Sequence, residues 1–309
     1  MQTQRKFQIK CEHNFLGGPK TRSAFKPMQL DSSKVLSRRD YPEFESKTVL
    51  ILGGANGIGA ALVEGFLSLG AKVGIVDKDG TRAEALAQSL DQHEASAASP
   101  SLPPRVFAAD LAIESERERA LETAVRELGA PQTVVCTIGL DRRVDFETVK
   151  QGELEDLIRI NGLAPILAAR QLIAPMRKGG GGSLCIFTSR HASEIFEPNM
   201  LGYGGGKAFL ESGVQRLAQF AGSENTSENT IRIFGFCPGW VQTENQLSRF
   251  TNDNFESAKA EQLIPLDMRA EDIVRPVVFL CSNQAGLYTG QIFQYDGGEG
   301  RLSGRWTSR

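Results

Sequence analysis

Tyr203 and Lys207 lie four positions apart, with Gly204-Gly205-Gly206 between them, and their types and spacing suggest acid–base chemistry. On a helix, residues four apart share a face, so a phenol and an ammonium can converge on one cleft. A neighbouring ammonium favours the phenolate and lowers the tyrosine pKa, which lets the phenol shuttle a proton at neutral pH. Ser189 follows an apolar run and stands where a strand end can offer its hydroxyl to a substrate oxygen. The other reading of the pair is an ordinary helix surface contact. Three intervening glycines weaken helix propensity, so a packing or functional reason for them is expected.

A second constellation suits a phosphate-bearing ligand. The apolar run Thr48-Val49-Leu50-Ile51-Leu52 enters Gly53-Gly54-Ala55-Asn56-Gly57-Ile58-Gly59. Side-chain-free positions permit a tight strand-to-helix turn, and free amides at the helix start can receive a pyrophosphate. The spacing is Gly-x3-Gly-x-Gly, not the general Gly-x-Gly-x2-Gly fingerprint, and the Lys-Ser/Thr ending of an ATP or GTP loop is missing. A purely structural turn is the alternative. Asp77 ends the next apolar run, where a carboxylate can accept hydrogen bonds from ribose hydroxyls and repel a ribose phosphate, favouring NAD over NADP. Lys78 beside it keeps NADP open. Asp110 ends a third run and serves either an adenine edge or a helix cap.

These residues need a scaffold, and the chain supplies a repeating strand and helix rhythm. Strands are expected at residues 48–52, 73–76, 106–109, 133–136, 184–187, 231–236 and 291–295. Helical faces lie between them, at Leu62 and Phe66, Leu86 and Leu90, and Leu121, Val125 and Leu128. The polar stretch Asp91 to Pro104 reads as a surface excursion. Pro165 interrupts a helical region from Leu154 to Met176, which places a kink or junction after Asn161. Gly179 to Gly182 reads as a turn, and a further helix as following Tyr203. A parallel sheet with helices on both faces accounts for the pattern, and nothing calls for a second domain. The expected organisation is a basic extension over 1–46, a dinucleotide-binding catalytic domain over 47–299 and a short tail over 300–309.

Composition narrows the options. The 309 residues carry a formal charge of -2 and are 40% hydrophobic, which suits a folded core. Residues 1–47 hold ten Lys or Arg against five Asp or Glu, a local +5 that reads as a solvated or packed arm. That arm has no recognition module for nucleic acid. No run of about 20 apolar residues marks a membrane span, and without an n-region followed by a continuous h-region a secretory signal is not expected. Cys11, Cys136, Cys185, Cys237 and Cys281 show no short paired spacing, and His13, His93 and His191 are scattered. Reduced, buried thiols and no metal site are therefore expected, in a cytoplasmic setting, with organellar import through the extension as the other option.

Taken in chain order, the glycine turn, Asn161, Ser189, Tyr203 with Lys207, Pro238-Gly239 and Asp296-Gly297-Gly298 resemble the short-chain dehydrogenase/reductase family of the classical type, over roughly Lys47 to Gly298. The resemblance implies an α/β, single Rossmann-type doubly wound fold. Its mainly parallel seven-stranded sheet, with helices on both faces, binds a nicotinamide dinucleotide across its carboxyl edge. It implies a tetrad of Asn161, Ser189, Tyr203 and Lys207. In it Tyr203 exchanges the proton, Ser189 stabilises the substrate oxygen, Lys207 tunes the phenol and holds nicotinamide ribose, and Asn161 supports a water linking Lys207 to solvent. The implied cofactor residues are Gly53, Asn56, Gly57, Ile58, Gly59, Asp77, Asp110, Leu111, Gly139, Tyr203, Lys207, Pro238, Gly239, Val241 and Thr243, with no metal.

The expected activity is NAD-dependent hydride transfer between nicotinamide and a secondary alcohol or ketone. An NADP-dependent carbonyl reductase and a catalytically weak nicotinamide-binding regulatory or structural subunit are the alternatives. The implied partners are a small-molecule substrate and a second copy, as homodimer or homotetramer through the helices bearing Asn161 and Lys207. Residues 245–260 fall where the family has its substrate lid. Trp240 is expected to pack, while His191 and Arg190 are either substrate contacts or ordinary loop residues. Two departures stand out: Leu52 replaces the family's usual threonine, and Cys136-Thr137-Ile138-Gly139 keeps only the final glycine of Asn-Asn-Ala-Gly. Hydrogen bonds that brace the central sheet therefore need substitutes.

Overall fold

A computed structural model describes residues 36–94, 102–194 and 198–299. Seven strands form one sheet: β1 (Thr48–Leu52), β2 (Lys72–Asp77), β3 (Arg105–Ala108), β4 (Thr133–Cys136), β5 (Gly181–Phe187), β6 (Thr230–Pro238) and β7 (Ile292–Tyr295). They lie in the order β3-β2-β1-β4-β5-β6-β7, and every pairing is parallel. The chain runs outward from β1 to β3 and then returns to β1's other side with β4. That reversal opens a crevice at the carboxyl ends of β1 and β4, where ligands bind in such sheets.

Helices cover both faces. On one lie α1 (Gly57–Ser68), α2 (Gly80–Glu94) and α9 (Val274–Cys281); on the other lie α3 (Glu114–Leu128), α5 (Ala164–Lys178) and α6 (Leu201–Gly222). The first face packs Leu62, Phe66, Val277 and Val278 against Ile51 and Ile75, and the second packs Leu121, Leu172 and Leu210 against Leu50 and Ile186. Every residue of β1 and β4 is buried. Double coverage explains why these strands are continuous apolar runs without alternation. At the end of α9, buried Arg232 of β6 donates to the carbonyls of Leu280, Cys281 and Ser282, satisfying acceptors that a helix terminus leaves open.

Several element limits differ from the sequence reading for physical reasons. The expected break near Asn161 is a π turn, Arg159–Leu163, between α4 (Gln151–Ile158) and α5. Pro165 follows the π turn directly, where its missing N–H removes one bond from an otherwise continuous helical run. Asp91 to Glu94 continue α2 instead of opening the excursion. Strand β5 starts within the glycine run at Gly181, and α6 starts two residues before Tyr203. The run from Gln151 to Lys178 is long and apolar enough to cross a bilayer by composition alone, but half of its most apolar stretch is buried within the protein.

Residues 36–46 lie against α1 and the segment after α9. Phe44 is buried edge-on against Phe66, Arg38 donates to the Ser68 carbonyl, and Glu43 accepts the Asn283 amide. The rest of the basic extension, and the tail over 300–309, lie outside the described residues. Cys136, Cys185, Cys237 and Cys281 are buried free thiols, with Cys11 outside the described residues.

Candidate active site

Asn161, Ser189, Tyr203 and Lys207 meet at the carboxyl ends of β4 and β5. The π turn presents Asn161 inward, fully buried. Its Oδ1 accepts the Leu140 amide at 2.7 Å, and its Nδ2 donates to the Leu140 and Leu157 carbonyls at 3.1 and 3.0 Å. Lys207 Nζ donates to the Phe187 carbonyl at 2.8 Å and the Ile138 carbonyl at 3.3 Å. It lies 5.9 Å from the centre of the Tyr203 ring. Ser189 acts on the phenol, holding its pKa lower than burial alone would, and its hydroxyl accepts the His191 amide at 3.3 Å. The His191 ring stands edge-on to Tyr203 at 5.6 Å.

The glycines between Tyr203 and Lys207 allow this convergence. A Cβ on Gly206 would approach Asn161 Cβ to 2.8 Å, and one on Gly204 would approach the His191 carbonyl to 2.8 Å. One on Gly139 would sit 3.3 Å from both Asn161 Oδ1 and Lys207 Nζ. Gly139 therefore belongs to the wall of the site, where a Cβ would press on both side chains. Gly205 meets nothing within 4 Å.

The electrostatics correct one expectation. Burial pushes the Tyr203 phenol up to about 12, neighbouring Ser189 opposes the rise, and the Asp141 carboxylate adds to it. Burial also brings the Lys207 ammonium down to about 8. The phenol is thus raised and not depressed, because desolvation is the largest influence on it. Below about pH 8 the site holds a protonated phenol beside a protonated amine.

On the crevice's other side, a Cβ on Gly59 would fall 2.0 Å from the Gly53 carbonyl, and Gly57 has φ +52°. Asn56 precedes α1 without capping it, so the first-turn amides of Gly57, Ile58 and Gly59 receive no side-chain oxygen from it. Such uncapped amides suit a phosphate group. Thr243 lies against Gly57, at 3.3 Å from a Cβ placed there. Asp77 accepts the Ala55 amide at 3.0 Å and the Asp79 amide at 3.0 Å, which ties the turn to β2. A carboxylate has about four acceptor sites, so capacity for ribose hydroxyls remains. These features fit a bound dinucleotide.

The missing brace is supplied from across the crevice. Thr137 Oγ1 donates to the Gly53 carbonyl at 2.8 Å and lies 3.2 Å from that of Leu52. The hydroxyl lost at Leu52 has therefore moved from β1 to the segment after β4. Asp110 bonds the Ala112 amide in a local turn and does not cap α3, whose flanking residue is Ile113. The Leu111 and Val241 side chains belong to the cores. Pro238 ends β6, and Gly239 lets the backbone pass Asp296, where a Cβ would meet Asp296 Cα at 2.9 Å.

Other residues emerge only from the tertiary arrangement. Arg190 is buried with Glu194, Glu299 at 2.6 Å and Asp296 at 3.7 Å, which ties the Ser189 turn to the segment after β7. Asp141 links the segment after β4 to Gln246 and Arg249. The region after β6 holds α7 (Glu244–Leu247) and α8 (Asn252–Ala260), and Trp240 packs there on Phe250 and Phe255. Arg82 of α2 pairs with Glu244. Of these, Arg190 had only its place after Ser189 as a signal, and Asp141 had none.

Comparison with known proteins agrees with this architecture. A family model described as enoyl-(acyl carrier protein) reductase matches residues 53–299. A probable galactose dehydrogenase of Rhizobium meliloti is 30% identical over 265 residues, covering 85% of this chain and 98% of that protein. A D-xylose 1-dehydrogenase of Caulobacter vibrioides is 30% identical over 264 residues, covering 85% and 99%. A solved 7α-hydroxysteroid dehydrogenase, complexed with NADH and 7-oxo glycochenodeoxycholic acid, superposes with a TM-score of 0.76 at 23% identity, covering 85% and 98%.

Proposed function

Because the chain belongs to the short-chain dehydrogenase/reductase family and is thereby a nicotinamide-dependent oxidoreductase, we propose that it interconverts a secondary alcohol and a ketone with NAD, using Tyr203 as proton donor and acceptor. The observation that carries this reading is the meeting of Tyr203 with the Lys207 ammonium, 5.9 Å from its ring centre, and with the Ser189–His191 turn packed on the ring's edge. When bound, the nicotinamide supplies or accepts the hydride. In reduction, the phenol donates its proton to the substrate oxygen as charge develops there, and Ser189 holds that oxygen with a second hydrogen bond. In oxidation the phenolate form of Tyr203 takes the proton, and positive charge at Lys207 favours that form. Asn161 fixes Leu140 and packs against Gly206, keeping the lysine wall in register, and would support a water linking Lys207 to solvent.

Gly57, Ile58 and Gly59 would hold the pyrophosphate, with Thr243 beside them, and Asp77 the adenosine ribose. Asp77 disfavours a ribose phosphate, and Arg82 is already paired with Glu244, so NAD is the preferred cofactor. Exposed Lys78 supports the NADP-dependent carbonyl reductase as a second reading. The two sugar dehydrogenases among the relatives make aldoses the first substrates to try. Purified protein should oxidise or reduce such compounds with NAD or NADH. Tyr203→Phe should retain folding and cofactor binding but lose about 1000-fold in kcat; equal turnover in the two proteins would remove the proton role. Asp77→Ala should relax discrimination against NADP, and unchanged relative affinities would reject the ribose assignment. Exposed Ile158, Leu163, Leu201, Phe209 and Phe220 favour self-association through α4, the π turn and α6. Sedimentation giving only monomer would refute that.

A further inference from the structure

We propose that Asp141 recognises a hydroxyl on a substrate carbon neighbouring the reacting one, so that the preferred substrates are vicinal hydroxy compounds. The inference deepens the oxidoreductase reading and rests on it. Asp141 is where the floor of the site meets the segment that covers it. Its neighbour Leu140 is held at both backbone atoms by Asn161, and Gly139 packs against Lys207 and Asn161. From the other direction, Arg249 donates to the Asp141 backbone carbonyl at 3.0 Å and to its Oδ2 at 3.2 Å. Gln246 Nε2 also donates to Oδ2, at 3.2 Å, and is oriented by Trp240 Nε1 on its Oε1 at 3.1 Å.

Both donors use the same carboxylate oxygen. Oδ1 is enclosed and has no hydrogen-bond partner among the described residues. An ionised carboxylate only accepts, so a group satisfying Oδ1 must bring a hydrogen. The charge also reaches the Tyr203 phenol, which it helps to raise after burial. Gly139 against Lys207 and Leu140 on Asn161 set Asp141 next to the wall of the tetrad, so a substrate oxygen at Tyr203 and Ser189 directs its neighbouring carbons toward this carboxylate. A hydroxyl there donates to Oδ1, whereas a carbonyl or carboxylate there would set acceptor against acceptor. Hydrogen bonds to a charged, desolvated acceptor discriminate strongly, because the analogue without the hydrogen leaves that acceptor bare.

The test compares kcat/KM within matched pairs: D-galactose against 2-deoxy-D-galactose, and cyclohexane-1,2-diol against cyclohexanol. The wild type should prefer the vicinal hydroxy member by about 100-fold, and Asp141→Asn should bring that preference within about threefold of unity. Arg249→Ala unfastens the cover but leaves the carboxylate; it should raise KM for both members alike and keep the preference. A wild type without preference would overturn the assignment. So would an Asp141→Asn variant that slows both members equally, the result of a merely structural anchor. Turnover of no pair with either nicotinamide by folded protein would instead overturn the oxidoreductase reading, and this assignment with it.

Discussion

The glycines at Gly53–Gly59 and those at Gly204–Gly206 look alike in composition but do different work. In the first group the backbone itself is unusual: Gly53 and Gly57 have positive φ, and Gly59 touches the Gly53 carbonyl where a Cβ would stand. In the second group the backbone is ordinary helix. Gly204 and Gly206 admit His191 and Asn161 to close range, and Gly205 faces open space. One cluster is required by conformation and contact within its own turn, the other by the approach of neighbouring elements. A side chain added to the first should damage the fold, whereas one added to the second should damage chemistry.

The sharpest break of that contrast is Gly59→Ala. Its Cβ has backbone on its near side and nowhere to move, so a loss of about 3 kcal/mol or more is expected in denaturant unfolding, with loss of nicotinamide binding. A stable variant with full affinity would show that the turn is not held by proximity. Gly206→Ala should separate the two clusters. Helix propensity offsets part of the packing strain, leaving a net cost of about 1 kcal/mol, while displacement of Asn161 should lower kcat at least about 10-fold. Equal loss in stability and unimpaired turnover would reverse the reading.

The tight second cluster also desolvates Lys207, and that has a pH signature. Its amine falls from 10.5 to about 8 on folding. Between these values the unfolded chain binds more protons, so this lysine's contribution makes stability rise with pH, at up to about 1.4 kcal/mol per unit. Wild type measured against Lys207→Met should show that rise from pH 8 to 10.5, and a flat difference would place the amine in water. The smallest effect is expected at Gly205→Ala: a gain of about 1 kcal/mol from helix propensity. A loss at that exposed position would mean that a second copy packs against α6.

Much of the framework was legible in the residues. The doubly buried strands announce themselves as apolar runs, and the turn, Asp77 and the Tyr203–Lys207 spacing are local features that one strand or helix determines. Legibility ends where an effect depends on what lies opposite. The brace lost at Leu52 returns as Thr137, 85 residues later, because β1 and β4 are neighbours only in the sheet. The raised phenol of Tyr203 follows from burial, and the same spacing alone suggested the reverse.

The order of the elements, the glycine turn and the presence of a phenol, a hydroxyl, an amide and an amine in one chain were determined by the sequence itself, through local backbone preference and hydrophobic periodicity. Their charge states, the glycines that admit close neighbours, the Arg190 cluster and the junction at Asp141 were decided by the tertiary structure. Desolvation, proximity and hydrogen-bond satisfaction are properties of what surrounds a group, and distant segments become surroundings only on folding.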